Sequence, residues 1–249
     1  EADRRKDEFL AMLAHELRNP LGAISSASYI LAHSGTGEGA AGRAVAIIQR
    51  QIQHLVRLVD DLLDVSRITR GKVELRREPL DLVEVVEQAV EMTGPVVDAK
   101  GHTLALSLPR SPVAVHGDAT RLEQVVVNLI RNAATFTETG GRIAVTLRAD
   151  AANGIASIAI ADNGVGIAPD LMPRIFDLFA QGRQELDRSA GGLGIGLTLV
   201  RTLVELHGGR VEVESAGPGQ GSEFRVFLPL AAADSLEATP ALAVHAGEP

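Results

Sequence analysis

Two stretches of helical periodicity on either side of a glycine-rich break constrain the N-terminal part of the chain most strongly. In residues 1–32, apolar side chains recur at steps of three, four or seven: Leu10, Leu13, Leu17, Ile24 and Leu31. In residues 40–69, steps of four and three alternate along a heptad seam: Ile48, Ile52, Leu55, Val59, Leu62 and Ser66. Because glycines interrupt both patterns between Ser34 and Gly39, the sequence predicts an antiparallel hairpin of two helices over residues 1–70.

The predicted hairpin carries more apolar surface than two helices can bury against each other. A twofold dimer would bury both seams in a four-helix bundle, and the sequence therefore predicts a homodimer. The alternative is a hairpin that folds back on the C-terminal part of its own chain.

A histidine and a carboxylate are adjacent in the first predicted helix, at His15 and Glu16. His15 is two residues from both Leu13 and Leu17, which places it about 200° from the apolar stripe at roughly 100° per residue. The imidazole is therefore predicted to face water beside an acid, where a large substrate can reach it. For an isolated His-Glu pair, a solvated surface histidine is the alternative interpretation.

Beyond the hairpin, helical patterns alternate with short strands. Residues 71–79 are charged and end in Pro79, which predicts a linker to a second domain over residues 80–230. The predicted helices cover residues 82–92, 119–134 and 194–206, and the predicted strands cover residues 103–108, 113–116, 142–148, 155–161, 210–214 and 223–228. This order predicts an α/β sandwich with helices on one face of a mixed sheet, so the predicted fold class is α + α/β.

Composition excludes several classes of function. A net charge of −8 without a basic patch argues against a nucleic-acid partner, and the absence of cysteine excludes disulfides and thiolate metal sites. No apolar run reaches the ~20 residues that span a bilayer.

The chain begins at Glu1 without methionine, so we expect a cytoplasmic piece of a longer protein, attached to a membrane only through an upstream region. Residues 231–249 are rich in Ala, Pro and Glu and predict a disordered tail or linker.

Two glycine clusters are candidates for phosphate binding. Asp162-Asn-Gly164-Val-Gly166 follows a predicted strand, and Gly191-Gly192-Leu-Gly194-Ile-Gly196 opens a predicted helix. Glycines before a helix let backbone N–H groups approach phosphate oxygens. Neither cluster is a P-loop, because no Lys-Ser/Thr follows, and neither has the strand–loop–helix unit of a dinucleotide fingerprint.

Two asparagines, Asn128 and Asn132, are four residues apart on one predicted helix and so share a face. An amide oxygen suits Mg²⁺, which keeps several waters and binds the phosphates of its substrate. Asp162 has a different chemistry available, since a carboxylate at the bottom of an apolar pocket can accept the exocyclic amine of adenine. Considered alone, two asparagines on one helix are more typical of a pair of surface amides.

The order of these motifs resembles the transmitter core of a two-component sensor histidine kinase. The motifs are His-Glu-x-x-Asn-Pro, Asn-x-x-x-Asn, Asp-x-Gly-x-Gly and Gly-x-Gly-x-Gly, and the match covers about residues 5–230. Ile175–Phe179 resembles the family's phenylalanine box, and Gly219–Phe224 resembles its last glycine turn. The resemblance implies a dimerisation and histidine-phosphotransfer hairpin followed by a Bergerat-type ATP-binding domain.

The resemblance also implies a role for each residue that matches a motif. His15 is the phosphoacceptor, Glu16 the base beside it, and Asn19 the side chain that places a water for dephosphorylating the partner regulator. Asn132 is the Mg²⁺ ligand with Asn128 nearby, Asp162 binds adenine, and glycines shape the lid around the phosphates: Gly164, Gly166, Gly192, Gly194 and Gly196. The implied activity is ATP-dependent autophosphorylation, followed by transfer to an aspartate of a response regulator.

Two positions distinguish this chain from related proteins. Related ATPases carry a glutamate four residues before the metal asparagine, whereas this chain has Asn128, and an amide cannot act as a base for hydrolysis. Thr135 stands where the family often has Lys or Arg, so we expect weaker ATP binding by ~1–2 kcal/mol and tighter binding after Thr135→Lys. An impaired ATP site would favour the alternative function, a phosphatase-biased or inactive dimeric scaffold.

Overall fold

The structure is a computed structural model, and it describes residues 2–33, 38–69, 74–178, 180 and 194–231. The chain divides into two units, one built on the N-terminal helices and the other on a β-sheet. In the first unit, helix α1 (Ala2–His33) packs against helix α2 (Glu38–Thr69), as the two apolar stripes predict.

The packing of α1 on α2 follows a heptad row, but its position on α2 differs from the predicted seam. Ala27 of α1 and Ala44 and Leu58 of α2 are buried, whereas Ile52 and Val59 are 49% and 47% exposed. The inward row of α2 runs through Ala44 and Leu58, so α1 of the same chain does not cover Ile52 and Val59 of the predicted seam. Burial of that seam in a homodimer stays a prediction. Ile52 and Val59 belong to a second row of exposed apolar side chains, which we call the outer stripe: Val45, Ile52, Val56, Val59 and Leu63.

The second unit contains the remaining elements that the structure describes. Its strands are β1 (Glu78–Asp81), β2 (Thr103–Ser107), β3 (Ala114–Gly117), β4 (Arg142–Asp150), β5 (Ile155–Asp162), β6 (Arg210–Glu214) and β7 (Ser222–Pro229). Its helices are α3 (Leu82–Ala99), α4 (Ala119–Phe136) and α5 (Gly196–Leu206), and a 3₁₀ turn covers Met172–Arg174. Every helix and strand predicted from the sequence is present, with its ends shifted by a few residues.

The main sheet is mixed, as predicted, with strand order β2-β4-β5-β7-β6. β2 and β4 are parallel, and the other neighbours are antiparallel. One face of its central strands is buried: Ile143, Val145, Leu147, Ala156, Ile158, Ile160, Phe224, Val226 and Leu228. Because α4 contacts β4 and β5 and α3 contacts β2, the core lies between this face and the helices.

Two features of the second unit differ from the sequence prediction. A small antiparallel sheet joins β1 to β3, so the end of the predicted 71–79 linker is a strand. Helix α3 continues past its predicted end at Met92 to Ala99, with Pro95 inside it. Because Val97 is only 3% exposed, tertiary packing of the last turn outweighs the backbone hydrogen bond that Pro95 removes.

Candidate functional site

Asp162 ends β5 on the face of the sheet that carries the core, two residues after Ile160. Its register partner on β7 is Ser222. Both carboxylate oxygens accept hydrogen bonds, Oδ1 from the backbone N of Gly164 at 2.8 Å and Oδ2 from the Ser222 hydroxyl at 2.6 Å. These donors fix the plane of the carboxylate, and each oxygen keeps acceptor capacity for a ligand N–H.

Ser222 is a site residue that the sequence prediction missed, although it lies within the quoted Gly219–Phe224 turn. The available signal was a hydroxyl directly after the last glycine of that turn. Its partner depends on the register of β5 against β7, which local sequence patterns do not show.

Gly164 and Gly166 are required because other backbone segments approach them closely. A Cβ at Gly164 would collide with Phe136 O at the end of α4, and one at Gly166 would collide with Gly217 O. Gly166 also has a φ of 67°, a conformation that side chains with a Cβ disfavour. Both glycines thus hold the loop after Asp162 against its neighbours.

The glycine turn that ends at Gly221 is hydrogen-bonded to the same loop. Gly219 N donates to Val165 O at 2.7 Å. The Ser215 hydroxyl accepts from Ile167 N at 3.0 Å and donates to Gly221 O at 2.6 Å. Ser215 is therefore a second residue that the prediction missed, and it fastens the two loops together.

An open cleft of about 550 Å³ lies beside this carboxylate. Its volume is in the range of small-molecule sites. The lining is mostly polar, with Asp162, Glu214 and Ser222 among its polar residues and Met172 and Val213 among its apolar ones. The Asp162 carboxylate is therefore available to a ligand in the cleft.

Helix α4 carries the predicted asparagines beside this region. Asn128, Asn132 and Thr135 recur at steps of four and three and are half-buried, while the opposite face of α4 forms the core. In the part of the chain that the structure describes, the buried Nδ2 of Asn128 has no hydrogen-bond acceptor. An oxygen of a bound nucleotide would supply that acceptor, so the donor set fits a nucleotide.

The residues present also fit Mg²⁺ held mainly by its substrate. Within residues 74–178 and the other described segments, no group of three or more His, Cys, Asp or Glu residues could hold a metal ion. Mg²⁺ commonly takes one or two protein oxygens together with phosphates and water. A single amide oxygen from Asn132 suits that arrangement.

The N-terminal end of α4 is fixed by His207, a buried histidine directly after the end of α5. Asp118 caps the helix through Oδ1, which accepts from Arg121 N at 3.2 Å. The Asp118 N–H donates to His207 Nε2 at 3.0 Å, and His207 Nδ1 lies 2.7 Å from Leu203 O. The Nδ1–H tautomer satisfies both contacts, and burial lowers the pKa of His207 below its ordinary value.

The second glycine cluster is described only in part. Gly194 has a φ of 66° and lies two residues before the start of α5. At Gly196, the first residue of α5, a Cβ would meet no atom within 4 Å. Gly192 lies outside the described residues. In the predicted phenylalanine box, the Phe176 ring packs edge-on against Phe224 with centroids 6.3 Å apart.

The predicted phosphotransfer residues lie along α1. His15 and Glu16 are within the helix, but their side chains lie outside the described part of the structure. Asn19 is exposed one turn later. The structure therefore agrees with the helical setting of the His-Glu motif.

Comparison with known proteins matches two family models along the chain. Residues 5–71 match the His Kinase A (phospho-acceptor) domain. Residues 117–232 match the histidine kinase-, DNA gyrase B- and HSP90-like ATPases. Among solved structures, the mycobacterial sensor histidine kinase MprB is 32% identical, and the match covers 98% of that chain and 61% of this one, with a TM-score of 0.54.

The chain belongs to the two-component sensor histidine kinases. This histidine kinase core is also 32% identical to full-length ShkA in complex with AMPPNP, with a TM-score of 0.66 over 91% of this chain and 46% of that one. The probable sensor histidine kinase TcrY of Mycobacterium tuberculosis is 36% identical over 94% of this chain and 48% of its own length.

The histidine kinase core spans less than half the length of the curated relatives that it matches, between 25% and 48%. None of the helices in the described part of the kinase core is both long enough and apolar enough to cross a bilayer. Its two family matches follow the order of the predicted hairpin and sheet domain.

Proposed function

We propose that this histidine kinase core transfers the γ-phosphoryl group of ATP to His15 and then to an aspartate on the receiver domain of a response regulator. The observation that carries the proposal is the Asp162 carboxylate, held by two donors beside an open cleft. A match to a phospho-acceptor domain that includes His15 supports the phosphotransfer step. We assign residues 1–70 to phosphotransfer, 71–79 to the linker, 80–230 to ATP binding and 231–249 to a tail.

Asp162 is proposed to bind the adenine base. Its oxygens accept from Gly164 N and the Ser222 hydroxyl, and a remaining lone pair would accept the exocyclic amine. The relative ShkA was crystallised with the ATP analogue AMPPNP, which supports an adenine nucleotide here. Gly164, Gly166, Gly192, Gly194 and Gly196 are proposed to shape the surrounding loops.

Asn132 is proposed to hold Mg²⁺ together with the nucleotide phosphates. The bound ion would screen the phosphate charge during transfer. Asn128, whose Nδ2 lacks an acceptor among the described residues, would donate to a nucleotide oxygen. Thr135 lies on the same side of α4 and can offer a hydroxyl but no charge.

At His15, one unprotonated imidazole nitrogen would attack the γ-phosphorus. A nitrogen–phosphorus bond forms, the bond from phosphorus to the β,γ-bridging oxygen breaks, and ADP leaves with that electron pair. Glu16 would accept the other imidazole N–H and stabilise the positive charge that develops on the ring. Because Asn128 stands where related ATPases have a glutamate, the ATP site offers no base at that position to activate water.

A homodimer is proposed from the outer stripe of α2. Val56 is 54% exposed, and Ile52, Val59 and Leu63 are nearly as open. Two copies of the hairpin could cover these side chains in a four-helix bundle.

Exposed Asn19, one turn after His15, is proposed to place water when a bound regulator is dephosphorylated. Since ATP is the proposed substrate, we assign this part of the protein to the cytoplasm.

The test is autophosphorylation with γ-labelled ATP and Mg²⁺, comparing wild type with His15→Gln. A matched control, His33→Gln, changes a histidine of the same helix. We expect acid-labile, base-stable label in wild type and His33→Gln but none in His15→Gln. Labelled wild type should then lose its label to a receiver domain added with Mg²⁺.

The opposite result would favour the alternative function. If wild type carries no label and binds no nucleotide, the chain is a scaffold or acts mainly as a phosphatase toward a regulator. Label that persists in His15→Gln would show that another residue accepts the phosphoryl group.

A further inference from the structure

We propose that Lys100 is a positioning residue for the nucleotide, acting through the C-terminal turn of α4. The inference rests on the proposed function, because it concerns how the ATP site is held and charged. Lys100 follows α3 directly, and its ammonium reaches the end of α4, where its Nζ lies 2.9 Å from Ala134 O and 2.7 Å from Thr135 O.

All four carbonyls that end α4 accept hydrogen bonds, although a helix leaves these groups without partners of its own. Ala133 O accepts from Thr137 N at 3.0 Å. Lys100 Nζ donates to Ala134 O and Thr135 O, and His102 Nε2 lies 3.0 Å from Ala134 O. The last carbonyl, Phe136 O, accepts from Val165 N at 3.0 Å.

The hydrogen bond from Val165 N to Phe136 O connects the end of α4 to the loop after Asp162, the residue proposed to bind adenine. Val165 belongs to the loop between Gly164 and Gly166, which begins at Asp162. Gly164 packs so closely on Phe136 O that a Cβ there would collide with it. A shift in the last turn of α4 would therefore move this loop, and Lys100 opposes such a shift at the two preceding carbonyls.

The Lys100 ammonium also offsets the partial negative charge at the C-terminal end of α4. The C-terminal end of a helix carries a partial negative charge, which repels phosphate groups. Asn132 and Thr135 lie close to that end, and the last turn of α4 contains no basic residue of its own. Lys100 supplies a positive charge at the same turn from outside the helix.

Lys100 is itself held in place. Its backbone O accepts from Gly140 N at 2.9 Å, and Thr103 N donates to Gly141 O at 2.9 Å. These bonds join the turn after α3 to the turn after α4. The Lys100 side chain therefore extends from an anchored backbone, which favours a fixed position for the charge.

The test measures the Kd for Mg·AMPPNP by calorimetry, the melting temperature without nucleotide, and KM for ATP and kcat for labelling of His15. The variants are Lys100→Met, which keeps the apolar stem, and Lys100→Arg, which keeps donors and charge. Arg148→Met, at an exposed position of β4, is the control for loss of one positive charge elsewhere.

We expect Lys100→Met to raise both Kd and KM about tenfold, the scale of a lost charge-assisted interaction, with little change in kcat. Lys100→Arg should recover most of the affinity, and Arg148→Met should match wild type. The Kd of wild type should rise with added salt more steeply than that of Lys100→Met. Wild-type affinity in Lys100→Met, or equal weakness in Lys100→Met and Lys100→Arg, would overturn the inference.

If Lys100→Met does not fold, Thr135→Lys in the otherwise unchanged chain decides the question. The sequence alone predicted a clear gain in affinity for this variant, whereas the position of Lys100 Nζ on Ala134 O and Thr135 O replaces that expectation. A second cation at a turn that Lys100 already neutralises should tighten Kd by less than about twofold. Tightening of about tenfold would show that the phosphates lacked a cation and would overturn the inference. Wild type that neither binds Mg·AMPPNP nor labels His15 overturns the proposed function itself, whereas the variant comparisons bear on Lys100 alone.

Discussion

The Ser222 hydroxyl donates a 2.6 Å hydrogen bond to Asp162 Oδ2 across the pairing of β5 with β7. The two residues are 60 positions apart in the chain and face each other because of strand register. With Gly164 N on the other oxygen, this bond holds the carboxylate at one orientation beside the cleft. An adenine amine would meet an acceptor that is already aligned.

Replacing Ser222 with alanine should weaken nucleotide binding by about fivefold, because losing one aligning donor costs ~1 kcal/mol. Ser222→Thr keeps the hydroxyl and should bind like wild type. The measurement is the Kd for Mg·AMPPNP, with Ser157→Ala on β5 as a matched control outside the cleft. An unchanged Kd in Ser222→Ala would show that Gly164 N alone orients Asp162.

Two predicted site glycines should respond differently to alanine. Gly164→Ala places a Cβ against Phe136 O and should lower the free energy of unfolding by about 3 kcal/mol, the upper range for overpacking. At Gly196 a Cβ meets no atom within 4 Å, so Gly196→Ala should leave the free energy of unfolding nearly unchanged. Urea titration of both variants checks this, and equal losses would contradict the close-approach argument.

Stability should decline as the pH falls below the ordinary pKa of histidine, near 6.5, because of His207. Burial lowers its pKa in the folded state, so the unfolded chain binds more protons in acid, and folding loses at most about 1.4 kcal/mol per pH unit from this group. The contribution of His207 to the free energy of unfolding is full above pH 6.5 and shrinks as the pH falls below that value.

Unfolding titrations between about pH 5 and pH 7 should therefore show a smaller slope in His207→Gln than in wild type. His116→Gln, at an exposed position of β3, is the control for replacing a histidine. A slope that is identical in all three proteins would mean that protonation of His207 is not linked to folding.

The outer stripe predicts how the protein associates. Val56→Glu places a charge in the middle of this row, where Val56 is 54% exposed in the single chain, and burying that charge in a dimer would be costly. We expect sedimentation equilibrium to give the mass of a dimer for wild type and of a monomer for Val56→Glu. Arg50→Glu, on the same helix but outside the stripe, should remain dimeric, and a monomeric wild type would contradict the prediction.

Much of the fold could be predicted because its signals are local. Helical periodicity indicated α1 and α2, and Asn153-Gly154 marked the turn between β4 and β5. Strand β1 was missed because Glu78–Asp81 is short and charged, and it is a strand only through pairing with β3. The heptad spacing of α2 did not show which apolar row packs against α1, because adjacent rows of the helix are both apolar and only packing selects the row through Ala44 and Leu58.

The sequence by itself determined the order of the elements and the residue types at Asp162, Asn128, Asn132 and the glycines, since these depend on spacing over a few residues and on motifs. Only the tertiary structure decided which groups meet: Ser222 with Asp162, and Lys100 with the end of α4. Those pairs depend on strand register and on where separate turns come together. Such long-range contacts are selected by burial and hydrogen bonding across the whole domain, and no local pattern of residues encodes them.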